Sequence, residues 1–259
     1  MASEQKGAPA GGRNERLIER GSPTYGVDVG IMLLDATFPR PVGDIANGRT
    51  FSMPIHYEVT ENASVPHVVE RSAEGLLQNF LGTGRRLLKR GVKVLVTSCG
   101  FLAIFQKELA DELRVPVATS SLLQIPLVLR LIASDQKVGV VTVNASTITP
   151  AHLDGAGISE ADRERLVWIG LENSEHFYNV IVWDEGPLDV DRAEDELVKA
   201  CTDAVAEHPE IGAFVFECTN MPPYSSAVRH ATGRPVWDAI TLVNWLQGGA
   251  LGLSDRWAQ

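Results

Sequence analysis

The sequence predicts an α/β fold of two pseudo-symmetric lobes, each a parallel sheet flanked by helices, with a site in the cleft between them. Three observations carry this. Short apolar runs of strand character alternate with segments of helical spacing. Cys99 ends the run Val92-Lys-Val-Leu-Val-Thr-Ser-Cys99, and Cys218 ends Ala213-Phe-Val-Phe-Glu-Cys218. Pro116-Val117 and Pro235-Val236 follow at the same distance beyond their cysteines, each opening the next strand. A weaker repeat aligns Gly30-Ile-Met-Leu-Leu-Asp35-Ala-Thr with Gly139-Val-Val-Thr-Val-Asn144-Ala-Ser: a glycine, four strand residues, an Asx, an alanine and a hydroxyl.

The elements follow in order. Residues 1–26 are polar and read as a mobile tail, with a short helix from Arg13 to Arg20. The first lobe, 27–136, opens on a buried strand from Val27 to Leu34. A proline-bearing loop runs from Asp35 to Asn47, and a second extended piece lies near Met53 to Val59. Helical spacing of Leu76, Leu77, Phe80, Leu87 and Leu88 marks a helix from Ser72 to Arg90, stopped by Gly91. Strand Val92–Val96 then leads to Cys99, helix Leu102–Leu113 and strand Val117–Ala118. Helix Ser121–Ala133 is apolar on most faces and is expected to be well buried.

The second lobe, 137–259, opens on Val138 to Val143. A helix near Glu160 to Val167, a strand near Asn179 to Val182 and an acidic-faced helix from Val190 to Glu207 lead to Phe214 and Cys218. A helix near Ser225 to Thr232, strand Pro235–Trp237 and a last helix from Ala239 to Leu251 complete it. That last helix is a candidate to pack back on the first lobe.

Composition narrows the function. The 259 residues are 44% hydrophobic and 22% charged, with a net charge of −10. This is globular composition, and the negative field argues against nucleic acid or an anionic membrane as partner. No apolar run approaches the ~20 residues of a membrane span, and the N-terminus lacks a secretory apolar stretch. A cytoplasmic location is the default expectation. Three cysteines make no disulfide framework, and no Cys/His spacing resembles a metal site.

Two thiols facing one cleft suit a proton-transfer enzyme that needs no cofactor, one removing a proton and the other returning it. In open α/β sheets ligands bind beyond the carboxyl ends of strands, where both cysteines, Asp35 and Asn144 fall. A helix N-terminus after each cysteine favours thiolate, and its N–H groups suit a substrate carboxylate. Thr97, Ser98, Gly100, Thr219 and Asn220 supply small donors around the thiols, and Thr142 and Asn144 stand at the mirrored strand end. Asp35 is a candidate to assist a thiol or to cap a turn. Glu217 precedes Cys218; strand alternation would turn it to the opposite face, and a structural and a catalytic role are both open. Arg40 and Arg49 flank the first-lobe loop, where solvated arginine is the commoner outcome. Cys201 lies on an apolar helical stripe and reads as packing.

These strand–cysteine pairs, with Thr97-Ser98-Cys99 and Glu217-Cys218-Thr219-Asn220, resemble the aspartate/glutamate racemase superfamily, which includes hydantoin racemases, maleate isomerases and arylmalonate decarboxylases. The resemblance runs from Val27 to Leu251. It implies catalysis by Cys99 and Cys218 without pyridoxal phosphate or metal, on an amino acid or related small carboxylate, by a racemase or epimerase. Maleate-type isomerisation, decarboxylation and ligand binding without catalysis are the alternatives. Two features depart from the glutamate racemases: the long proline-bearing turn after Asp35, and Asn220 where histidine is frequent. The resemblance makes a homodimer or higher homo-oligomer possible, and the apolar segment from Trp245 to Leu253 is a candidate either for such a contact or for finishing the core.

Overall fold

The computed structural model describes residues 23–255, with side chains through residue 250. The helix expected from Arg13 to Arg20 lies outside the described residues.

Among the described residues, eight strands form two parallel four-stranded sheets. In chain order the first half contains β1 (Val29–Leu33), β2 (Ile55–Val59), α1 (Val65–Glu70), α2 (Leu77–Leu88), β3 (Val94–Thr97), α3 (Gln106–Leu113), β4 (Val117–Ala118) and α4 (Ile125–Leu131). The second half contains β5 (Lys137–Thr142), α5 (Pro150–Gly155), α6 (Glu160–Arg163), β6 (Leu166–Gly170), α7 (Phe177–Trp183), α8 (Val190–Glu207), β7 (Ile211–Phe216), α9 (Ser225–Thr232), β8 (Val236–Trp237) and α10 (Ala239–Asp255). The strand orders are β2-β1-β3-β4 and β6-β5-β7-β8, so one topology occurs twice.

The repetition extends to single hydrogen bonds. Ser98 N–H donates to the Met32 carbonyl, and Glu217 N–H donates to that of Val141. Leu95 N–H donates to Pro116, and Phe214 N–H to Pro235. Gly30 and Gly139 also match. A Cβ on Gly30 would lie 2.9 Å from Val92 Cγ1, and one on Gly139 2.7 Å from the Phe214 ring. Each glycine admits a large neighbour against its central strand.

The last helix of each half crosses to the other sheet. Helix α4 follows the first sheet, yet Ile125, Val128 and Leu129 pack with Val138, Val140, Ala213 and Val215 of the second. Helix α10 follows the second sheet, yet Ala239 and Val243 pack with Val29, Ile31, Val94 and Val96 of the first. The exchange buries the same face of both sheets. Because α4 covers the sheet with one stripe, Leu127 and Leu131 on its outer side remain 52% and 63% exposed, where burial was expected.

Several elements differ from expectation for identifiable reasons. The helix expected from Ser72 begins only at Leu77, because Ser72 and Ala73 take positive φ in the preceding turn. The segment after Cys99 starts as a 3-10 turn, Gly100–Phe105, before α3. Residues 179–182 are helical within α7, while the second extended piece of this half is β6 at Leu166–Gly170. Short apolar runs such as Asn179–Val182 suit either state. Here the edge of β5 is filled by β6, so the later run becomes the helix that packs beside α8.

Candidate active site

Both cysteines stand just past the ends of the central strands β3 and β7, and both line one small cavity. Its other walls include Leu34, Phe38, Val65, Val69, Phe101, Val143 and Ile181, with Arg40, Ser98, Glu217, Thr219 and Asn220 as the polar lining. Cys99 and Cys218 keep 9% and 7% of their surface exposed, whereas Cys201 in α8 keeps none and is packing. The two thiols lie close enough for the charge of one to raise the pKa of the other.

The two cysteine loops are tied together. Thr219 Oγ1 donates to the Ser98 carbonyl at 2.6 Å, and Ser98 Oγ accepts from Leu34 N–H at 2.9 Å. Thr97 Oγ1 lies 2.6 Å from the Thr119 carbonyl and 3.0 Å from that of Cys99, holding the first loop from below. Asn220 Nδ2 donates to Asp44 Oδ2 at 2.7 Å, and Arg40 Nη1 donates to Asp44 Oδ1 at 3.1 Å. Asp44 thus holds two cavity-lining residues at once. The Phe38 ring stacks on the guanidinium, 4.3 Å from its centroid.

Burial dominates the electrostatics. Both thiols are pushed well above the ordinary cysteine range, first by burial and next by the Glu217 carboxyl. Backbone N–H groups at Phe101 and Asn220 oppose the shift at equivalent positions of the two halves, but do not overcome it. The expectation that helix N-termini would lower the thiols is therefore corrected. Each cysteine is followed by a 3-10 turn, not a long α-helix, and desolvation disfavours the thiolate more than these dipoles favour it.

Glu217 is fully buried beside both thiols, and its pKa is pushed up to about 8 by burial, partly offset by the Thr142 hydrogen bond. Thr142 Oγ1 donates to Oε2 at 2.8 Å, while Oε1 has no hydrogen-bond partner. Strand alternation had pointed this side chain away from Cys218. The strand ends at Phe216, so alternation no longer applies to the pair.

The other expected site residues divide. Ser98, Thr219 and Asn220 line the cavity. Thr142 reaches it only through Glu217, and Gly100 lies against the same carboxylate. Thr97 is a loop tie. Asn144 does not line the cavity; it caps the following turn and donates to Glu70 of α1 at 3.2 Å, beside Tyr178 of α7. Asp35 is exposed and outside the lining, because the chain turns outward after β1. The buried acidic partner from that loop is Asp44, which the sequence reading did not single out. Arg40 lines the cavity, whereas Arg49 is exposed. A proline- and glycine-bearing loop carrying Arg40 and Asp44 four residues apart was the missed signal.

Comparison with known proteins places this geometry. No family model matches the sequence. A dimethylsulfoniopropionate lyase of Durusdinium sp. clade D is 31% identical over 96% of this chain and 87% of that protein. The chain belongs to the dimethylsulfoniopropionate lyase family. Dimethylsulfoniopropionate lyase 3 of Emiliania huxleyi is also 31% identical, over 92% of this chain; the chain spans 63% of that longer relative.

The lyase-family chain has the fold of the racemase superfamily. Allantoin racemase from Klebsiella pneumoniae superposes with a TM-score of 0.59 over 88% of this chain and 89% of its own, at 18% identity. Unliganded arylmalonate decarboxylase gives 0.53 over 86% and 94%, at 17% identity. An Asp/Glu racemase homologue from Yersinia pestis gives 0.55 over 90% and 99%, at 11% identity. The expected fold class is therefore shown, and the fold is that of the superfamily the sequence resembles. The relatives' names are those of lyases, so the isomerase class expected from the sequence is not shown by them. Among the described residues, no helix is long and apolar enough to cross a membrane, and no cluster of His, Cys, Asp and Glu could hold a metal ion.

Proposed function

We propose that the protein is a carbon-acid lyase that cleaves dimethylsulfoniopropionate or a close β-sulfonio carboxylate. The observation carrying this reading is the pair of free thiols on one small, largely apolar cavity, in a chain whose relatives bear that activity in their names. A carboxylate acidifies the adjacent C–H only weakly, so the base must be strong. A thiol raised by burial becomes a strong base once deprotonated.

In the proposed step a thiolate takes the α proton, forming S–H. The C–H electron pair becomes the new C=C bond, and the β C–S bond breaks with its pair leaving on dimethyl sulfide. Acrylate is the other product. Arg40 supplies the cation for the substrate carboxylate, its planar fork carrying donors beyond the one given to Asp44. Apolar walls such as Val65, Val69 and Ile181 accept the sulfonium methyl groups.

The test is release of dimethyl sulfide by the purified protein, by Cys99→Ser and by Cys218→Ser. Loss in at least one variant supports the reading. Full release by both, or none by the unmodified protein, rejects it.

The second thiol favours a second reading, the racemase or epimerase expected from the sequence, because elimination needs one base and stereochemical inversion needs two. Uptake of deuterium at Cα from D2O, with inversion and without loss of a leaving group, would select it.

A further inference from the structure

Both readings of the site leave one requirement open. A thiol must lose its proton inside a cavity where burial holds that proton on. The proton needs an acceptor within the cavity at the moment of transfer, before it is lost to solvent between turnovers.

We propose that Glu217 is that acceptor, an internal proton acceptor serving Cys99 and Cys218. The inference rests on the two-thiol reading above. Glu217 lines the same cavity as both sulfurs and is fully buried. Its carboxylate is the largest neighbouring charge acting on each thiol. Oε2 is held by Thr142, while Oε1 lacks a partner and lies beside the backbone of Gly100, the residue after Cys99. A buried carboxylate oxygen without a partner is costly for a structural residue. It is the free valence that a proton acceptor requires.

The equivalent position in the first half is Ser98, whose hydroxyl is committed to Leu34 N–H. The carboxyl is therefore a departure from the repeat, present once for two thiols. Because its pKa of about 8 lies below those of both thiols, Glu217 ionises first, and transfer from a thiol to it runs uphill, so the thiolate forms only transiently. The first proton to leave the site as pH rises is that of Glu217. The carboxylate so formed then exchanges with a thiol: S–H breaks, O–H forms at Oε1, and the electron pair stays on sulfur. Net charge is unchanged. After the thiolate has taken the substrate proton, the site holds one proton more than it began with, and this leaves to solvent before the next turnover.

Glu217 is thus a positioning residue that acts through the thiols. Its test compares Glu217→Gln, Glu217→Asp and the unmodified protein, with Cys99→Ser and Cys218→Ser as controls. Two readouts are followed against pH: turnover, and thiolate absorbance in the ultraviolet, which needs no substrate. The unmodified protein should gain turnover as pH rises through about 8. Glu217→Gln should lose about 10²-fold at neutral pH, a typical contribution of a positioned acid–base group. Its rising limb should move upward in pH, while its thiolate absorbance appears at lower pH than in the unmodified protein, because the neighbouring negative charge is gone. Glu217→Asp should recover part of the turnover with a limb again below the thiol range.

An unchanged pH profile and unchanged thiolate titration in Glu217→Gln would overturn the proposal, whether or not turnover fell, since a packing role moves neither. If instead both cysteine variants remain fully active, the two-thiol reading fails, and the thiolate titration still decides whether Glu217 governs the sulfur charge.

Discussion

Thr219 donates its hydroxyl to the carbonyl of Ser98 at 2.6 Å, so the residue after the second cysteine is bonded to the residue before the first. This is a direct link between the two halves at the level of the sulfurs, and both partners are buried. Thr219→Val keeps the shape and deletes the donor. It should cost about 1 kcal/mol, lowering the melting temperature by ~2–4 °C. Turnover should fall further than stability, because the spacing of the thiols is no longer held. Thr219→Ser should retain both, which calorimetry and an activity assay would check.

Gly100 has no room for a side chain. A Cβ there would lie 2.3 Å from Glu217 Oε1 and 2.4 Å from the Glu217 carbonyl oxygen. One of these atoms belongs to the backbone and cannot rotate away. Gly100→Ala should destabilise the protein by about 1–3 kcal/mol and displace the carboxyl from between the cysteine loops. Denaturant unfolding measures the first effect, and the shape of the pH–rate profile the second.

Stability should also depend on pH through Glu217. Its folded pKa is raised from 4.5 to about 8. The unfolded chain therefore releases this proton earlier than the folded one. The associated stability is present in full below about pH 4.5 and is lost as pH rises through about 8. Glu217→Gln removes this dependence. The melting temperature of the variant should gain on that of the unmodified protein steadily over this interval. His152, lowered by burial, acts in the opposite direction, but it is common to both proteins and drops out of the difference.

Asp44 holds Arg40 and Asn220 in place from one buried carboxylate. Asp44→Asn keeps the size, removes the charge and turns an N–H₂ group either toward the Asn220 amide or toward the Arg40 and Ala46 donors. It should cost about 1–3 kcal/mol. Because both displaced residues line the cavity, KM for a carboxylate substrate should rise about tenfold or more, as expected for the loss of ~1.4 kcal/mol of binding. Steady-state kinetics over a range of substrate concentration would separate this from an effect on kcat.

The doubled architecture was legible because the repeat leaves marks that do not depend on tertiary context. Gly30 and Gly139 must be small wherever a helix or ring presses on the central strand. The Cys–Pro spacing records the length of one turn and one helix. The helices of α8 and α9 were legible from spacing alone. What could not be read depends on encounters between distant segments. Asn179–Val182 has strand-like composition but meets a filled sheet edge. Asp44 is ordinary in a loop until Asn220 folds against it. Alternation could not place Glu217, because β7 ends at Phe216 and the chain begins to turn there. The thiol pKa values were misjudged because a dipole can be counted along the chain, whereas desolvation is produced by walls from α1, α7 and the first-lobe loop.

The crossing of α4 and α10 has a consequence for how the molecule comes apart. A chain cut between residues 133 and 137 would yield two fragments, each missing the helix that dries its sheet and each carrying one meant for its counterpart. Neither piece should be soluble and compact alone, yet the two mixed should reassemble. Heat should accordingly melt the intact protein in a single calorimetric step, since loosening one half uncovers the other.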